Sequence, residues 1–150
     1  MTTSASIPRR ATRWPGTTTA TAGRIVAIKG LGGYHLACDA TDEGAVQRLR
    51  DRKRRWAKPF AVMAADLAAV ERLALVGAAE RALLAGPERP IVLLRARRRG
   101  HPRLAPSVAA GNHRLGIFLP YTPLHHLLMA AVCRPIVLTS GNLADEPLAT

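Results

Sequence analysis

Arg134-Pro-Ile-Val-Leu-Thr-Ser-Gly-Asn142 decides how this 150-residue chain is read. Ile136-Val-Leu138 is an apolar run without polar alternation, the pattern of a central strand buried on both faces. It stops in Thr139-Ser-Gly-Asn142, residues that turn easily and offer hydroxyl, amide and backbone N–H donors. A similar sequence of events occurs upstream, where Ile25–Ile28 runs into Lys29-Gly-Leu-Gly-Gly-Tyr-His35. Between the two lies Lys53-Arg-Arg-Trp-Ala-Lys-Pro-Phe60, four cations within six positions, leading into apolar Phe60-Ala-Val-Met63. Glycines let backbone N–H groups close around an anion, and Lys and Arg supply the compensating charge. Together the three stretches read as a site for a phosphate-bearing ligand. Neither GxxxxGK[ST] nor GxGxxG is present, so the cradle is of another kind.

Outward from these motifs, strand and helix patterns alternate. Residues 24–29 read as a strand. Thr41 is the expected N-cap of a helix running to about residue 54, with Asp42 and Glu43 in its first turn. That helix would bury Ala45, Val46 and Leu49 and turn its arginines outward. Residues 60–64 read as a strand, and Asp66 caps a helix with Leu67, Val70, Leu73 and Ala74 inward. A short helix over 78–84 ends at Gly86-Pro87. A strand over 90–95, a basic loop to about residue 114 and a strand over 115–119 follow. Thr122-Pro123 opens a helix, and 134–139 is the last strand. This alternation implies an α/β sheet with ligand loops at strand ends.

Composition narrows the possibilities. A 48% hydrophobic content and a mean hydropathy near zero suit a soluble globule of one domain. No apolar run approaches the ~18 residues of a membrane span. Residues 1–22 carry Arg9, Arg10 and Arg13 without an apolar stretch, against a secretory or twin-Arg signal. Their Thr, Ser, Pro and Arg content predicts a disordered tail. The net charge is +12, but 19 of the 22 cations are Arg and Ala is abundant, a bias that raises charge without functional demand. Arg95-Ala-Arg-Arg-Arg-Gly-His-Pro-Arg103 reads as a solvated loop, and 4% aromatic content leaves no base-stacking platform. Cys38 and Cys133 belong to no CxxC pair and are expected as two buried free thiols. His125-His126 is a packing pair and no metal site, since adjacent helical residues diverge by about 100°; no Ser-His-Asp or paired-carboxylate arrangement competes with the phosphate reading.

The ordered segments KGLGGYHLACDAT, RKRRWAKPFAVM, RPIVLL, LGIFLPYTPLHHLL and RPIVLTSGNLADEP resemble the YrdC-like domain of the HypF carbamoyltransferases, which mature [NiFe] hydrogenases. The resemblance covers residues 23–150. The wider superfamily includes the threonylcarbamoyl-AMP synthases of tRNA modification, which have Pro-Thr-x-Thr-x-Tyr-Gly-Leu where this chain reads Lys29-Gly-Leu-Gly-Gly-Tyr-His-Leu36 and share a closing Ser-x-Asn. Lys29 and His35 favour the hydrogenase branch.

The resemblance implies a YrdC-like twisted mixed sheet flanked by helices. It also implies a cytoplasmic module that forms carbamoyl adenylate from ATP, with Mg2+ held largely by the phosphates, and a ligand derived from carbamoyl phosphate or carbamate. A hydrogenase-maturation protein would be the acceptor. Lys53 and Arg55 match the family's phosphate-facing Lys-x-Arg pair, and Lys58 its second Lys, on the carbamoyl side. Arg52 and Arg54 fit an ordinary solvated helix end. Lys29, Gly30, Gly32 and Gly33 match the turn that holds the small acyl group. Tyr34 would pack on the ligand or in the core; His35 would bond the carbamoyl amide or a buried carbonyl. Thr139, Ser140 and Asn142 match the loop for the adenylate phosphate and ribose. The chain departs from the family in Trp56, where proline is common, and in lacking an amphipathic helix within residues 1–22. It also stops at residues 146–150, where the family domain continues, so a truncated module is expected. An RNA-binding (including double-stranded RNA) or tRNA-modifying relative, and an inactive remnant, are the alternatives.

The basic loop generates a first test. RNA binding is expected to be weak and sequence-blind, with log affinity falling linearly against log salt. Neutralising Arg97, Arg98 and Arg99 together should flatten that slope in a filter-binding titration; a tight, base-selective complex at physiological salt would instead favour the RNA reading.

Overall fold

Period-two alternation along the strands divides the hydrophobic residues between two sides of one sheet. The computed structural model describes residues 23–30, 32–99 and 102–142. Its strands are β1 (Val26–Gly30), β2 (Gly33–Asp39), β3 (Ala61–Met63), β4 (Ala74–Leu75), β5 (Val92–Ala96), β6 (Arg114–Phe118) and β7 (Ile136–Ser140). The helices are α1 (Glu43–Arg52), α2 (Leu67–Leu73), α3 (Ala78–Ala85), α4 (Pro106–Ala109) and α5 (Pro123–Val132). The strands lie in the order β1-β2-β7-β3-β6-β5-β4, and β3 with β6 is the parallel pair in an otherwise antiparallel sheet. The architecture is mixed α/β, with helices around the sheet.

Val137, Val62, Ile117 and Cys38 point to one side, where they meet Val46 and Leu49 of α1, Val70 and Leu73 of α2, Leu84 of α3 and Val108 of α4. Their strand neighbours Ile136, Leu138, Met63, Phe118 and Ala37 point to the other side and pack with Met129 and Val132 of α5. Each fully buried Val, Leu or Ile contributes roughly 1.5–3 kcal/mol, so β7, buried on both sides, is the seam of the molecule. Its neighbours are β2, with His35 opposite Ser140, and β3, with Val62 opposite Val137. The continuous apolar run thus marks a central strand, as its composition implies.

Several local expectations change. Tyr34 and His35 already stand on β2, a strand hidden by the glycines and by small Ala37 and Cys38. The N-cap of α1 is Asp42, whose side chain accepts from the Ala45 N–H at 2.9 Å. Thr41 instead donates its N–H and hydroxyl to Asp39 Oδ1 at 2.7 and 2.6 Å. Ala74 leaves its helix to pair with Ala96 in β4. The basic loop contains α4, which inserts Val108 into the core. Only one of the two thiols is buried: Cys38, pushed up to about 12 by burial and then by Asp39 and Asp42. Cys133 is exposed, because it ends α5 in a left-handed conformation, φ +54°, that turns it outward. The tail expected over residues 1–22 lies outside the described residues. No helix among the described residues is long and apolar enough to cross a membrane.

His125 on α5 is buried between two rings, edge-on to Tyr121 at 4.6 Å and to Phe118 at 6.4 Å. Burial, then His35 and His126, hold its pKa below the usual imidazole value. Below about pH 6.5 the unfolded chain takes up this proton while the folded chain resists it, so stability falls as pH drops through that window. Between about pH 7.5 and 5.0 the melting temperature should fall further for the unaltered chain than for His125→Phe. Equal falls in differential scanning calorimetry would place the acid sensitivity elsewhere.

Candidate functional site

The last turn of α1 sets the geometry of the site. Ala45, Val46, Leu49 and Arg50 form its buried stripe, so Arg50 is carried inward with the apolar residues rather than outward with the other arginines. Its guanidinium donates Nε to the Ser107 carbonyl at 3.1 Å and Nη1 to the carbonyls of Arg55 and Lys58 at 2.5 and 3.2 Å. A second nitrogen, Nη2, returns to Ser107 O at 2.5 Å. Segment 53–60 is therefore folded around one planar cation, which also lies 4.8 Å from the centroid of Phe60. Arg55 covers the same ring at 5.1 Å and donates to the Lys58 and Pro59 carbonyls. Cations over an aromatic face are attracted by its quadrupole.

Lys53, the C-cap of α1, is 3% exposed and crosses to the end of β7. Its Nζ donates to the carbonyls of Ser140 and Asn142 at 2.6 and 2.5 Å, with Ser140 Oγ at 3.4 Å. Burial, then Arg55, holds its pKa below the ordinary lysine value; burial, then Arg50, does the same to Arg55. The β7 turn is closed from the other side by the Gly141 N–H, which donates to Tyr34 O at 2.6 Å. A Cβ at position 141 would lie 2.8 Å from that oxygen, so the turn needs glycine.

Beside this junction a cavity of about 450 Å³ opens on the α5 side of the sheet. His35, Arg55, Thr139 and Ser140 line it, on a floor of Ala61, Phe118 and Leu138, and Glu88, Arg89, Ile91 and Tyr121 complete the wall. Three separated sequence stretches thus converge. Lys53 lies behind Ser140, and Asn142 joins through its carbonyl. Lys58 is exposed and contributes its carbonyl. Lys29 and Tyr34 are cross-strand partners on the opposite side of β1–β2 from His35, exposed and apart from the cavity, as is Gly32. Arg50 and Arg89 were not anticipated. Arg50 was legible in its helical spacing to Val46 and Leu49; Arg89 carries no comparable signal.

The electrostatics favour an anion. The two ion pairs among the described residues are Arg81 with Glu71 and Arg134 with Asp39. Among the described residues Arg50, Lys53 and Arg55 form no ion pair; their hydrogen bonds go to carbonyls and, for Lys53, also to the Ser140 hydroxyl, and a partly desolvated cation cluster of this kind is stabilised by incoming negative charge.

Comparison with known proteins agrees with this fold. The family described as Telomere recombination (Sua5, YciO and YrdC) matches residues 18–150. The carbamoyltransferase HypF of Rhodobacter capsulatus is 55% identical over 128 residues, 84% of this chain and 16% of that protein. A crystal structure of full-length HypF in the phosphate- and nucleotide-bound form superposes with a TM-score of 0.83 at 46% identity, covering 89% of this chain and 17% of that one. The threonylcarbamoyl-AMP synthase of Stenotrophomonas maltophilia strain K279a is 38% identical over 132 residues, 84% of this chain and 69% of that protein. The chain therefore spans about one sixth of the HypF proteins it matches.

Arg50→Gln should strand the carbonyls of Ser107, Arg55 and Lys58 and cost about 2–4 kcal/mol in urea denaturation, from the 1–3 kcal/mol for each unsatisfied buried group. Arg50→Lys should recover little, because one ammonium cannot span both sides of the fork. A loss below about 0.5 kcal/mol would show that the 53–60 segment holds itself.

Proposed function

The chain belongs to the Sua5/YciO/YrdC family, and on that premise we propose that it is the carbamoyl-adenylate-forming module of a HypF-type carbamoyltransferase acting in [NiFe] hydrogenase maturation. The observation that carries this reading is the cluster of Arg50, Lys53 and Arg55, without a carboxylate partner, at the strand end of Ser140 beside a cavity lined by His35 and Arg55. In the proposed reaction water hydrolyses carbamoyl phosphate to carbamate and inorganic phosphate, and a carbamate oxygen then attacks the α-phosphorus of ATP. The bond to the bridging oxygen of the β-phosphate breaks, and pyrophosphate leaves with that electron pair.

Such chemistry asks a protein mainly to align anions that repel one another and to place cations where phosphate charge develops. Arg55 faces the cavity and would pair with phosphate oxygens. The hydroxyl of Ser140 and the imidazole of His35, which also line the cavity, would bond the ligand's polar edge. Lys53 directs its three N–H groups at protein oxygens, so its part is to fix the Ser140–Asn142 turn against the helix end. Mg2+ bound to phosphate oxygens needs few protein ligands, and Glu88 is the carboxylate that borders the cavity. On this reading the module works in the cytoplasm, and the carbamoyl group moves on to a maturation protein through the rest of the transferase.

A second reading is favoured by the likeness to threonylcarbamoyl-AMP synthase, two thirds of which this chain covers. The attacking oxygen would then belong to a threonine-derived carbamate.

Calorimetry should detect MgATP binding, and Arg55→Ala should weaken it by about 1.5–3 kcal/mol, the range for hydrogen bonds to charged groups. Unchanged affinity would remove Arg55 from the site. Pyrophosphate release should depend on carbamoyl phosphate; release with threonine and bicarbonate instead would establish the second reading.

A further inference from the structure

Arg89, in the turn between α3 and β5, holds a backbone conformation that arginine avoids. Its φ is +45° and Pro90 follows it. A left-handed residue with a Cβ costs roughly 1–2 kcal/mol, and a following proline biases its predecessor toward extended backbone. The side chain is steadied by Nη1, which donates to Leu84 O at 3.1 Å, one of the carbonyls that the last turn of α3 leaves without a helical partner. So fixed, Arg89 borders the same cavity as Arg55, and it does so from another wall.

The register shows how the two cations are spaced along that cavity. Arg55 precedes β3, the shortest of the three strands that form the floor. Val92 of β5 pairs with Ile117, which pairs with Val62 of β3, so Arg89 lies beyond the far end of β3. The acidic neighbour Glu88 keeps a carboxylate oxygen over Gly86, 3.2 Å from where a Cβ there would stand. A strained residue that places charge in a ligand cavity is a candidate for function.

We propose that Arg89 is the second anion-binding residue of this site, holding a phosphate group at the end of the cavity opposite Arg55. The ligand class is one with two separated anionic groups, as in a polyphosphate chain. This rests on the phosphate-ligand reading of the cavity and assigns it a second contact.

The test uses the full chain, with sodium tripolyphosphate and MgATP as separate probes in calorimetry. Arg89→Gly removes the side chain where glycine is the favoured residue. The melting temperature should hold or rise, while affinity for both probes falls tenfold or more, the lower bound for a lost hydrogen bond to a charged group. If the loss of the Leu84 bond lowers the melting temperature, Arg89→Gln decides, because it keeps a donor for Leu84 and removes the charge; it too should lose tenfold. Wild-type affinity in both variants would overturn the assignment while leaving the nucleotide reading intact. Binding of tripolyphosphate but not MgATP, still dependent on Arg89, would sustain the assignment and overturn the nucleotide reading. Absence of binding by the unaltered chain to either probe would overturn both.

Discussion

One buried guanidinium organises the part of this molecule that chemistry would use. Arg50 sits among apolar residues of α1, yet its nitrogens meet carbonyl oxygens from Ser107, Arg55 and Lys58. Backbone carbonyls that turn inward must find donors, and a planar fork can serve several at fixed angles where an ammonium cannot. The segment that carries Lys53, Arg55 and Lys58 takes its shape from that requirement. Lys53 extends the arrangement by tying the helix end to the β7 turn. The positions of β7, α1 and the cationic segment are thus coupled through two side chains.

The coupling is electrostatically one-sided. Carbonyl oxygens satisfy hydrogen-bond geometry but carry only partial charge, so three neighbouring cations keep repelling one another. For Lys53 and Arg55 the lowered pKa values express this, through burial first and neighbouring positive charge second, whereas Arg50 is lowered by burial against the opposing pull of Glu43 and Asp51. A site assembled in this way is preorganised for negative charge before any arrives, which is how electrostatic stabilisation avoids reorganisation during reaction.

Sequence alone made much of the framework legible. The unalternating Ile136–Leu138 run marked a strand buried on both sides, and Asp66 and Thr122 marked helix starts that their side chains do cap. The gathering of Arg55, Thr139, Ser140 and His35 around one cavity follows the three motifs read together. What remained hidden had local causes. β2 begins in glycine and contains small residues, so it resembled a loop. Thr41 and Asp42 are both N-cap types, and the choice between them depends on buried Asp39, which accepts from Thr41. Cys133 is turned out by a single left-handed residue that composition does not reveal. Arg50 shows that charge should not outrank helical spacing, since its position in the stripe of Val46 and Leu49 already pointed inward.

The place of β7 in the sheet has a consequence for biosynthesis. Of the described strands it is the last to leave the ribosome, yet it fits between β2 and β3, which are made much earlier. At roughly 5–20 residues per second, the 77 residues between Met63 and Ser140 take roughly 4–15 s to appear. During that interval the facing margins of β2 and β3 have no β7 to pair with, and such margins attract other chains. The nascent polypeptide therefore depends longest on protection at the gap between β2 and β3, the gap that the strand bearing its candidate ligand site later fills.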